Sequence, residues 1–149
     1  MRFYFSAKWD LKEIVETFQN YFTGKGHTLS ADWTKRAFER DYEQFEQSSE
    51  FSEEEAQAIL SSDVFVHLSD LIGKGKYVDL GIALAGNILE RRPFGIYVIG
   101  EKANESQFYF NPRVKRIVVP KLFLKDLKPS KGRIIVTARR LEEEIMNQL

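Results

Sequence analysis

Apolar and polar positions along this chain fall into two kinds of run. Some are short blocks of consecutive β-prone residues; others are longer stretches with an apolar side chain every three or four positions. Arg2–Ser6 (RFYFS) is a short aromatic block and predicts a first strand. In Asp10–Phe22, Leu11, Ile14, Val15, Phe18 and Phe22 recur at helical spacing. Asp10 followed by Glu13 reads as a capping pair, and Gly24 and Gly26 end the helix. His27–Ser30 predicts a short second strand. Thr34–Ser61 is helical but polar, with a break expected near Gln47–Phe51. Ser52-Glu53-Glu54-Glu55 then restarts the helix as a capping box with Glu55 at its third position.

Asp63–Leu68 (DVFVHL) is an almost unbroken apolar run of the kind that parallel sheets bury on both faces. A Gly73-Lys74-Gly75-Lys76 loop leads to a helix over Tyr77–Arg91, with Leu80, Ala83, Leu84, Asn87 and Ile88 along one side and Pro93 as its stop. Phe94–Ile99 and Lys115–Val119 predict two more strands, with a polar loop at Glu101–Ser106 between them. A last helix, Lys131–Asn147, carries Ile134, Ala138, Leu141 and Ile145 as its stripe. Strands separated by helices predict an α/β sandwich: a five-stranded parallel sheet with helices on both faces, in one domain spanning 1–149.

Composition narrows the chemistry. The 149 residues include no Cys, which removes disulfides, thiol nucleophiles and thiolate metal sites. Only His27 and His67 offer imidazole, and no metal or redox cofactor is implied. With 22 basic against 22 acidic side chains the net charge is zero, which argues against a nucleic-acid or anionic-membrane partner. No apolar run approaches a membrane span and the N-terminus lacks a signal-peptide core, so the expectation is a soluble cytoplasmic protein. Charge is nonetheless uneven. Residues 1–60 carry 7 basic and 12 acidic side chains and residues 61–149 carry 15 and 10, either as two solvated faces or as a basic surface for a phosphate or an acidic neighbour.

Open parallel sheets bind ligands beyond the carboxyl ends of their strands, where the strand order reverses. For the order 2-1-3-4-5 that point lies between strands 1 and 3. Two segments meet there: Ser6-Ala7-Lys8-Trp9, and Ser69 through Tyr77. In the second, glycines admit a close ligand, lysines supply positive charge and a helix start follows, which together make an anion site or a plain solvated turn. Asp79 is either a first-turn carboxylate favoured by the helix dipole or a carboxylate kept at a cleft as a nucleophile. Asp63 reads as a cap and His67 as a hydrogen-bonded core histidine. Trp9 and Trp33 suit either core packing or stacking on a nucleobase.

Several segments, in order and in register, resemble the nucleoside 2-deoxyribosyltransferase-like family and its branch with an Asp-Trp-Thr signature. They are Tyr4-Phe5-Ser6-Ala7-Lys8-Trp9, Asp32-Trp33-Thr34, Ala58–Val66 with Asp63, Gly73–Ala83 with Asp79-Leu80-Gly81, and Phe108-Tyr109-Phe110-Asn111-Pro112. The resemblance implies a flavodoxin-like sheet and cleavage or exchange of an N-glycosidic bond in a nucleoside or nucleotide. In the family a Glu before Leu-Gly attacks the anomeric carbon; here that role passes to Asp79, with Tyr4 orienting the carboxylate or the sugar. A second family acid, eight residues before the strand-3 Asp, corresponds to Glu55, for which the capping box is the competing role. Lys74 and Lys76 then meet a 5′-phosphate, and Ser6, Ala7, Lys8, Trp9, Trp33, Gly73 and Gly75 line the pocket. Family transferases complete their sites from a neighbouring subunit, which implies a homo-oligomer in which Asn111 or the C-terminal helix serves.

The chain also departs from the family. Asp79 is one methylene shorter than the family Glu, the acidic residue some transferases carry near position 73 is Gly73, and the segment after the helix differs. Two other readings therefore stand beside the enzyme: a nucleotide-binding module without turnover, and an interaction domain of the same fold.

Overall fold

The computed structural model describes residues 1–36, 45–69, 74–120, 122 and 130–149. Arg2–Ser6 forms β1, Thr28–Leu29 β2, Val64–Leu68 β3, Gly95–Ile99 β4 and Val114–Ile117 β5. Every pairing is parallel and the order is β2-β1-β3-β4-β5. The helices are α1 (Lys12–Thr23), α2 (Phe45–Leu60), α3 (Lys74–Glu90) and α4 (Lys131–Met146). α1 packs against α4, and α2 against α3. The result is a three-layer, flavodoxin-like α/β sandwich, as the alternation of runs predicts.

Position in the sheet explains composition. β3 and β4 are central, and all five residues of each are buried, which is why they read as continuous apolar blocks. β5 is an edge, and exposed Lys115 and Arg116 make it a poor template for another strand. β1 has period-2 alternation that matters for function. Phe3 and Phe5 point to the α1 side, with ring centroids 4.4 Å and 6.0 Å from Phe22. Tyr4 points the other way and stacks on Phe65 at 6.0 Å, so Tyr4 and Ser6 face α2 and α3.

Four details differ from the sequence expectation. Asp10 does not cap α1: it lies in a 3-10 turn, Trp9–Leu11, and its carboxylate pairs with Lys8 Nζ at 2.5 Å. α2 runs without a break through Gln47–Phe51, and Ser52 Oγ donates back to the Ser49 carbonyl (2.9 Å) instead of opening a capping box. Glu55 is thus in a helix interior and is free of the cap role. α3 begins at Lys74, so Gly75 and Lys76 belong to its first turn and Asp79 to its second. The first turn has no intrahelical partners for its N–H groups, which makes it tolerant of such a sequence. Ile88 is exposed, while its neighbour Asn87 is buried, donating to the Pro93 carbonyl (2.6 Å) and accepting from Arg113 Nη1 (2.9 Å). α4 is capped by Ser130 and buries Ile134, Ala138, Leu141 and Ile145, as expected.

Gly86 marks the closest approach of α3 to its surroundings. A Cβ there would lie 2.5 Å from the Arg92 carbonyl oxygen and 2.7 Å from Leu60 Cδ2. Gly86→Ala gains about 1 kcal/mol of helix propensity, but overpacking against a backbone carbonyl costs about 1–3 kcal/mol. With the main chain unable to yield as a side chain does, the overpacking wins, and Tm is expected to fall by about 2–8 °C. A thermal melt with an unchanged or raised Tm would contradict this packing.

Candidate functional site

The carboxyl ends of β1 and β3 lie side by side, with Ser6 in register with His67. Because Tyr4 and Ser6 share the inner face toward α2 and α3, side chains from three elements meet there. Ser6 Oγ donates to Asp79 Oδ2 at 2.8 Å, linking the end of β1 to the second turn of α3. Burial pushes the Asp79 carboxyl up to about 7; the Ser6 hydrogen bond opposes that rise and the Glu55 charge adds to it. Burial also raises Glu55, opposed by Arg36 and reinforced by Glu54. The Tyr4 phenol is driven well above its usual range, first by burial and then by the charges of Asp79 and Glu55, so it stays a neutral donor. The structure therefore brings together the three residues nominated from the sequence as the catalytic set: Tyr4, Glu55 and Asp79.

Arg36 completes this group and was not singled out from the sequence. Its Nη1 lies 3.0 Å from Glu55 Oε1 and its Nη2 2.8 Å from Glu54 Oε2, with the guanidinium 4.5 Å from the Phe51 ring centroid. The Asp-Trp-Thr segment aims it. The Asp32 carboxylate accepts from Thr34 N (3.2 Å) and from Thr34 Oγ1, closing a tight turn. Trp33 Nε1 donates to the Phe5 carbonyl at 2.6 Å, fastening that turn to β1. The signature is thus structural in this chain, and its product is the placement of Arg36. A sequence clue existed in the cation that follows the signature, but its partner is 19 residues further on.

A second cluster adjoins the first along β3. Buried His67 shares a hydrogen bond with Tyr109 (Nε2 to Oη, 2.9 Å), and Tyr77 stacks on Tyr109 at 6.4 Å. Burial, and then the Lys76 charge, lower the His67 imidazole to about 3, so it is neutral and acts as the expected core histidine. Lys76 is only 3 % exposed, with its ammonium 5.3 Å from the Tyr77 ring centroid, not displayed on a loop.

The remaining nominated residues divide. Ala7 packs at the rim of the core, Lys8 is exposed and paired with Asp10, and Trp9 is partly exposed, 5.7 Å from Trp33 and beneath Lys12 Nζ. Trp33 is buried with its N–H committed to β1, so of the two tryptophans only Trp9 offers an accessible face. Gly75 is exposed in the first turn of α3; Gly73 and the Lys74 side chain lie outside the described residues. Asn111 does not join the cluster. Within this chain its Oδ1 accepts from Arg113 N (3.0 Å), and Arg113 Nη1 donates to Asn87 of α3 (2.9 Å). A groove of about 590 Å³ between α1 and α4, lined by Trp9, Lys12, Thr17 and Lys131 among others, opens on the opposite face of the sheet from Asp79. Among the described residues no group of three or more His, Asp or Glu is placed to hold a metal, and no helix is long and apolar enough to cross a membrane.

No protein-family model matches the sequence, and no curated protein matches it significantly. Among solved structures the chain is similar to the Clostridium botulinum CMP N-glycosidase BcmB. That likeness has a TM-score of 0.61 at 13 % identity, over 95 % of this chain and 99 % of that one, and it bears on the fold.

Proposed function

We propose that this protein hydrolyses the N-glycosidic bond of a nucleotide, with Asp79 as nucleophile. The observation that carries the reading is the half-buried Asp79 carboxylate, held by Ser6 and flanked by Glu55 and Tyr4, at the point where sheets of this order bind ligands. It is supported by the resemblance to nucleoside 2-deoxyribosyltransferase-like proteins and by a fold neighbour whose substrate is CMP.

In this mechanism an Asp79 oxygen attacks the anomeric carbon. The bond from that carbon to the base nitrogen breaks with its electron pair on the base, which takes a proton from solvent. Water then attacks the same carbon and gives a proton to the Glu55 carboxylate. The ester bond to Asp79 breaks, the sugar 5′-phosphate leaves, and Glu55 returns its proton to solvent. Tyr4, neutral throughout, donates to the Asp79 carboxylate or to the sugar. The first turn of α3, where Gly75 is exposed, supplies the 5′-phosphate contacts, which favours a nucleotide over a nucleoside.

Incubation with a panel of nucleosides, 5′-nucleotides and NAD, followed by chromatography of free base, tests the reading. The expected result is base release from at least one 5′-nucleotide; saturable binding with no release from any compound would leave a binding module instead. The pH profile is a second test. Asp79 must be ionised to attack, so activity is expected to rise as pH passes through about 7. In Glu55→Gln the charge that raises Asp79 is gone, and the limb of the residual activity is expected to move to lower pH. A limb that stays in place would show that the two carboxyls do not interact.

A further inference from the structure

We infer that Arg36 is a positioning residue for the second half of this reaction: its guanidinium fork holds Glu55 as the carboxylate that takes the proton from the attacking water. The inference rests on the reading of the site given above and assigns a role to a residue outside its reacting set.

The geometry is that of a clamp. One guanidinium spans two consecutive carboxylates, Nη1 to Glu55 at 3.0 Å and Nη2 to Glu54 at 2.8 Å, and packs on Phe51 at 4.5 Å. A planar fork that pairs with two acids fixes direction as well as charge, which a flexible ammonium does not. Arg36 is itself anchored, since its backbone N–H bonds the Trp33 carbonyl (3.2 Å) in the turn that Asp32, Thr34 and the Trp33–Phe5 bond hold to β1. Glu55 is faced by Glu54 from its own helix, Arg36 from the turn after β2, Tyr4 from β1 and Asp79 from α3. Arg36 is the cation of that set, and without it three acidic or potentially acidic groups crowd Glu55. Burial would then favour the protonated form, which cannot accept the proton from water.

The consequence is kinetic and specific to one step. Base departure needs Asp79 and leaves Glu55 a spectator, whereas release of the sugar needs the Glu55 carboxylate in place. Arg36→Met is therefore expected to keep a first-turnover burst of free base and to slow steady turnover by about 10–100-fold, the scale of loss for a catalytic group displaced by about 1 Å. KM for the nucleotide is expected to change little. Azide, a nucleophile that needs no deprotonation, is expected to restore turnover in Arg36→Met and in Glu55→Gln. In a Glu55→Gln background, adding Arg36→Met is expected to cost nothing more. Arg36→Lys keeps the charge without the fork and is expected to recover only part of the rate.

The experiment is rapid-quench measurement of base release for the parent, Arg36→Met, Glu55→Gln and the double variant, with carboxyl-carbon NMR of Glu55 in the parent and Arg36→Met. An upward move of the Glu55 titration midpoint, a retained burst and non-additivity are the results expected. Arg36→Met that turns over like the parent, or that costs its full factor on top of Glu55→Gln, would overturn the inference. Absence of base release from the parent would instead overturn the function proposed for the site. The NMR arm then still decides whether Arg36 holds Glu55 ionised, and a stationary midpoint rejects that too.

Discussion

Asp79→Ala is expected to reduce kcat for base release by on the order of 10⁴-fold or more, with the fold intact. The size follows from what the side chain does. A nucleophile that forms the covalent intermediate has no substitute among its neighbours: Ser6 Oγ is an alcohol hydrogen-bonded to that same carboxylate, and Glu55 is tied to Arg36 on the other side. Loss of a group that acts only on the reacting carbon is read in kcat and kcat/KM together, with little change in ligand affinity. Circular dichroism and a thermal melt alongside the assay separate this from unfolding. Asp79→Glu is the informative companion, because it introduces the longer acid found at this place in the family the sequence resembles. If the shorter acid has limited reach here, the Glu variant is expected to retain activity where Ala does not. An Asp79→Ala protein that releases base at the parent's rate would end the nucleophile reading.

The same carboxylate carries a stability signature of opposite sign. Its native pKa, at about 7, lies above the 3.8 of an unstructured Asp, so the native state holds its proton more tightly than the unfolded chain does. Stability is therefore greatest where both states are protonated, is lost as pH rises from about 4 toward 7, and stays low above that. The full shift corresponds to about 4 kcal/mol, an upper figure for a side chain that keeps some contact with solvent. Asp79→Asn keeps the shape and the acceptor for Ser6 but removes the ionisation. It is expected to raise Tm by several degrees at pH 8 and to match the parent at pH 4. Equal Tm differences at both pH values would show that the carboxyl is not held in a desolvated site. Together the two variants describe a trade of stability for reactivity at one residue.

The sequence disclosed the architecture because its dominant signal is burial. β3 and β4 are apolar on both faces and α4 is apolar on one, so period and position agreed. It disclosed less at helix ends, where local hydrogen bonds decide. Asp10 and Ser52 carry cap-forming side chains, yet one pairs with Lys8 and the other bonds back within a continuous helix. The start of α3 at Lys74 turned an expected loop into a first turn and buried Lys76. At the site, the reversal of strand order nominates the segment that opens with Ser6, the helix start after β3 offers Asp79, and Tyr4 is reached only through the family resemblance. Arg36 is not reached. Its role depends on a turn closed by Asp32 and Thr34 and on a helix whose register brings Glu55 opposite, and neither relation has a periodic trace in sequence.

Mass spectrometry of Glu55→Gln, quenched after mixing with the 5′-nucleotide from which the parent releases base, tests the central claim most directly, because the free base and the protein are read in one sample. The account predicts free base in solution together with a protein heavier by one sugar-phosphate unit, the added mass mapping to the peptide that contains Asp79. Free base released while Asp79 remains unmodified, with Asp79→Ala equally active, would contradict it.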